Sequence, residues 1–68
     1  MKHKIFHTRR GLFVNSVSKT DLFDVQSLHF SEVPFVFSDK KNATEVAILL
    51  HNEDLAHISE LEVQECQN

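Results

Sequence analysis

The sequence predicts an α+β domain: an antiparallel sheet of three to four strands with one helix packed on one face. Three observations lead there. Residues 35–50 run from an extended apolar stretch through a helix cap into an amphipathic helix. The first seventeen residues hold two apolar-rich stretches on either side of the only glycine. Near the C-terminus, apolar Leu61 and Val63 alternate with Glu60, Glu62 and Gln64, the period of a strand buried on one face.

The elements follow in chain order. Lys4–Thr8 and Leu12–Val17 are rich in the bulky and β-branched residues that suit a pleated surface. Between them, Gly11 marks a backbone conformation that other residues resist. The pair reads as one hairpin with a tight turn near Arg10-Gly11, or as a single bent strand with a bulge at Gly11. Ser18–Asp24 reads as a loop, with room for one helical turn capped by Thr20. From Val25 to Ser31 the alternation resumes, with Val25, Ser27 and His29 on one side and Gln26, Leu28 and Phe30 on the other. Pro34 cannot donate to a ladder, so Phe35–Phe37 is a short strand or an extended entry to the helix.

Ser38 or Asp39 is suited to cap a helix over about 39–51. Ala43, Val46, Ala47 and Leu50 recur at i, i+3, i+4 and i+7 and form its apolar stripe. Asn52 is an acceptable stop residue. The final strand is expected over about 58–65, beside the first strand, with 66–68 a frayed tail. The expected core is Ile5 or Phe6, with Phe13, Leu28, Phe30, Phe35, Phe37, Val46, Ala47, Leu50, Leu61 and Val63.

Sixty-eight residues make a single small domain with a narrow stability margin. Cys66 is the only cysteine, so no disulfide forms within the monomer, and a lone thiol suits a reducing compartment. No apolar run has the length of a secretory core or a membrane span, since the longest is Val46–Leu50. The expected location is cytoplasmic, where the Asn42-Ala-Thr44 sequon has no meaning. Six Phe stand against no Tyr and no Trp. Phe has no polar handle, so most of these rings are expected in the core, although single-strand nucleic-acid readers also use Phe platforms.

Charge is divided along the chain. Residues 1–20 carry +5, residues 53–68 carry −5, and the stretch between carries −3. One reading is that the first and last strands are neighbours whose charges pair across the ladder. Another is that Lys2, Lys4, Arg9, Arg10 and Lys19 form a nucleic-acid face, against which the overall acidity counts.

Nothing in the spacing supports catalysis. Five histidines are many for this length, but His3 and His7, or His51 and His57, lack a third ligand at metal-finger spacing. Asp21 and Asp24 read as loop caps. The expectation is a protein that is not an enzyme and uses no cofactor or metal.

The run Phe37-Ser-Asp-Lys-Lys-Asn-Ala-Thr-Glu-Val-Ala-Ile-Leu-Leu50 resembles a type found in small proteins of unassigned function from Gram-positive phages and mobile elements. In that type a β-hairpin precedes the motif and an acidic strand follows it, an order that covers roughly residues 10–65 here. The resemblance implies a β-rich sheet carrying one helix and a mobile-element origin, with no catalytic residues to transfer. Ile48 stands where a polar residue is usual, which gives the helix an extra apolar side for a partner. One helix cannot cover both faces of a sheet, so the other face or an edge strand is a natural contact surface. The sequence therefore predicts a protein-interaction module, with Ile48, Leu49, Glu60 and Glu62 as candidate protein contacts, and a homo-oligomer that offsets the small core. The alternatives are a nucleic-acid-binding accessory protein and a structural homo-oligomer.

Overall fold

A computed structural model describes residues 1–17 and 25–66. Strand β1 (His3–His7) turns through residues 8–11 into β2 (Leu12–Ser16), so the hairpin reading holds and the bent-strand reading does not. The turn closes with Gly11 N–H donating to His7 O at 2.9 Å, and Gly11 takes φ +68°. The loop expected over Ser18–Asp24 lies outside the described residues. Val25–Ser27 is a 3₁₀ turn rather than strand, and β3 (Leu28–Ser31) begins only at Leu28. Helix α1 spans Lys40–Asn52 and β4 spans Leu61–Glu65. A 3₁₀ turn over Ile58–Glu60 takes the first three residues expected in that last strand.

The sheet order is β3-β2-β1-β4, antiparallel throughout. The final strand lies beside the first, as the sequence predicts. Their charges do not pair as one reading expected. Lys4 stands opposite Gln64, and Phe6 opposite Glu62. Glu62 lies on the same face as Lys4 but diagonally across the ladder, and the residue opposite Glu65 is His3.

The hairpin is closed only near its turn. β1 and β2 pair at Phe6↔Phe13 and His7↔Leu12, and beyond that point Phe35–Phe37 enters the gap. Phe35 N–H donates to Val14 O at 3.0 Å. His3 and Phe37 exchange two backbone bonds, at 3.0 and 2.7 Å. The extended entry to the helix thus supplies the ladder that the splayed hairpin lacks, which satisfies backbone groups that would otherwise be buried without partners. Val33 O accepts from Asn15 Nδ2 at 2.9 Å, which ties the connection before Pro34 to β2.

Asp39 caps α1 in an extended conformation, its side chain accepting from Asn42 N–H at 2.8 Å. At the other end the stop is not Asn52. Asn52 is the last helical residue, and Asp54 takes the left-handed conformation at φ 60°. The apolar stripe Ala43, Val46, Ala47 and Leu50 is buried against Ile5, Val14 and Phe37, with Leu28, Phe30, Phe35, Leu61 and Val63 packed around it. Full burial of each large side chain in this group contributes roughly 1.5–3 kcal/mol. One core expectation needs correction. Phe13 sits on the face away from the helix, and Val14 takes the core position instead. Alternation decides this: Ile5 is on the helix side, so Phe6 and its partner Phe13 are on the other.

Candidate interaction surface

The face of the sheet opposite α1 is built by every second residue. β1 contributes Lys4 and Phe6, β2 contributes Phe13 and Asn15, and β4 contributes Glu62 and Gln64. Phe6 and Phe13 are cross-strand partners with ring centroids 5.2 Å apart and planes tilted by 54°. The Lys4 ammonium lies 5.1 Å from the centre of the Phe13 ring, within reach of a cation–π attraction. Glu62 stands beside Phe6 on β4 and accepts from Gln64 Nε2 at 2.5 Å. Val36 alternates with buried Phe37 and is exposed, as is Val33. The arrangement is a small apolar and aromatic centre flanked by one cation and one carboxylate. Partly exposed rings held by a rigid ladder lose little side-chain entropy on binding, which suits them as anchors.

The four described basic residues of the nucleic-acid reading are divided between two parts of the structure. Lys4 belongs to this open face, over Phe13. Arg9 and Arg10 belong to the turn, and the Arg10 guanidinium lies on the helix side, 5.0 Å from the Phe30 ring centre. Lys2 is exposed ahead of β1, and Lys19 lies outside the described residues. The four protein-contact candidates are also dispersed. Ile48 is exposed and Leu49 half-buried on α1, Glu62 is on the open sheet face, and Glu60 approaches His7 with Oε2 3.9 Å from Nε2. Sequence reasoning missed Phe6 and Phe13 as a surface pair. The signal was present, since once Ile5 is placed inside, period two puts Phe6 outside.

Four of the five histidines make hydrogen bonds within the fold. His3 and His7 point to the helix side of β1 and are buried. His7 Nδ1 accepts from Arg10 N–H, His51 Nδ1 from Ile58 N–H, and His57 Nδ1 from Ser59 N–H, each at 3.1 Å. Among the described residues, no group of three or more His, Cys, Asp or Glu converges on a metal-sized site. Nor, among them, is any helix long and apolar enough to cross a membrane. Comparison with protein-family models, curated proteins and solved structures finds no match.

Proposed function

We propose that the protein is a non-enzymatic, cytoplasmic protein-interaction module that binds and modulates a host or phage protein through the open face of its sheet. The observation that carries this reading is the Phe6–Phe13 pair, held on a face that the helix leaves free. The surroundings of the pair favour a protein partner over nucleic acid. Glu62 stands next to Phe6, and the Arg9-Arg10 turn and the Lys4 position do not make a continuous basic track. Affinity for phosphate backbones rests on such a track. Protein interfaces combine an aromatic centre with a mixed polar rim, which is the composition here. A phage or mobile-element origin accords with the resemblance of residues 37–50.

The test is affinity capture from a bacterial lysate, with and without nuclease, using the wild type, a Phe6→Ser/Phe13→Ser variant and an Arg9→Ala/Arg10→Ala variant. Circular dichroism establishes that each variant is folded. The expected result is a nuclease-resistant partner that is lost with the Phe variant and kept with the Arg variant. Nuclease-sensitive recovery that depends on Arg9 and Arg10 overturns the reading in favour of nucleic acid. Recovery of the protein's own second copy alone assigns the face to a structural homo-oligomer.

A further inference from the structure

On the helix side the described residues cover the sheet only in part. α1 leans on β1 and β4, and the β2–β3 half of the same face is left beside its C-terminal end. Among the described residues this leaves a cleft of about 310 Å³. Its floor is Leu12 and Val14 from β2 and Leu28 and Phe30 from β3, and its side wall is Leu50 and Leu55 at and after the end of α1. Leu55 is 47% exposed, an apolar side chain held over the opening by its backbone bond to Leu50 O at 3.0 Å. The volume lies at the lower end of the roughly 300–1,000 Å³ typical of small-molecule sites, and the lining is mostly apolar, with Arg10 and His29 as its polar residues.

One end of the cleft is cationic. The Arg10 guanidinium lies 5.0 Å from the centre of the Phe30 ring, and the His7 ring meets the same Phe30 edge-on at 5.1 Å. The Arg10 backbone N–H donates to His7 Nδ1, which fixes the turn that carries the guanidinium. Arg9 shares the adjoining depression with Arg10, His7, Leu55 and Glu60. Glu60 is the carboxylate on that side, and it faces His7, at 3.9 Å, with no ion pair to either arginine among the described residues.

We infer that this cleft is a binding site for a medium-chain fatty-acid carboxylate, its acyl chain along Leu28, Phe30 and Leu55 and its carboxylate on Arg10. The chemistry is complementary at both ends. An acyl chain removes exposed apolar surface from water, and a guanidinium pairs a carboxylate through parallel N–H donors. The site is separate from the open face, because Leu12, Val14 and Phe30 point to the opposite side of the sheet from Phe6 and Phe13.

The experiment is a titration of the methyl-labelled protein with decanoate, decanol and decyltrimethylammonium, each below its micelle-forming concentration, followed by NMR. The expected result is saturable shifts at the methyls of Leu12, Leu28 and Leu55 with decanoate. Arg10→Gln weakens decanoate by about tenfold or more and leaves decanol unchanged. Leu55→Ser, at an exposed position, weakens both. The Phe6→Ser/Phe13→Ser variant binds decanoate like the wild type, which separates this site from the open face. Absence of shifts at these methyls overturns the inference. So does equal binding of all three compounds with no effect of Arg10→Gln.

Discussion

His3 and Phe37 exchange both of their backbone hydrogen bonds, at 3.0 and 2.7 Å, and this bridge joins the start of the first strand to the entry of the helix. The same residue that closes the gap in the sheet buries its ring to 1% exposure against the helix. Phe37 is thus both a ladder partner and, among the described residues, the largest fully buried side chain.

Phe37→Ala is expected to cost about 3–5 kcal/mol, a large share of the stability of so small a domain. Phe13→Ala removes an equally large ring from the open face and is expected to cost no more than about half as much. Urea unfolding followed by far-UV circular dichroism distinguishes them. Equal costs would place Phe13 in the core and remove the basis of the proposed contact surface.

At Gly11 the backbone, rather than crowding, sets the sequence requirement. A Cβ added there meets no atom within 4 Å, yet φ is +68°. Gly11→Ala is therefore expected to destabilise by about 1–2 kcal/mol, and Gly11→Asn by less, because Asn tolerates the left-handed region. Midpoints of urea unfolding for the three proteins should fall in the order Gly, Asn, Ala.

The Asp39 side chain accepts from Asn42 N–H at 2.8 Å and satisfies one of the free donors at the start of α1. Asp39→Ala is expected to cost about 1 kcal/mol, while Asp39→Asn retains most of the cap. Thermal unfolding of the two variants side by side checks this. An Asn variant as unstable as the Ala variant would show that charge, and not the hydrogen bond, is the stabilising element.

Four histidines should divide by tautomer. His7, His51 and His57 accept backbone N–H groups at Nδ1, so their neutral rings carry the proton on Nε2. His3 Nδ1 instead lies 3.1 Å from Met1 O, a carbonyl that can only accept, so its proton is on Nδ1. Long-range ¹H–¹⁵N spectra at pH above the imidazole range read these assignments directly. The Nδ1–H form at His51 would break the link that this ring makes between α1 and the turn before β4.

The sequence by itself determined the elements whose signals are local. The helix was legible because cap, stripe period and apolar width agree within thirteen residues, and the caps at Asp39 and the turn at Gly11 are properties of single residues. The last strand was legible because Leu61 and Val63 alternate with acids. The tertiary structure decided what depends on partners distant in the chain. Whether Phe13 or Val14 faces the core is a matter of one residue of register, and both are plausible strand residues until β1 and β3 fix the phase. The entry of Phe35–Phe37 between β1 and β2 has no local signature, because it answers backbone groups of His3 and Val14, in two strands distant in the chain. Both surfaces with a proposed role follow from tertiary choices of this kind. The open face exists because the register turns Phe6 and Phe13 away from the helix, and the cleft exists because α1 settles on β1 and β4 and leaves the β2–β3 half beside it.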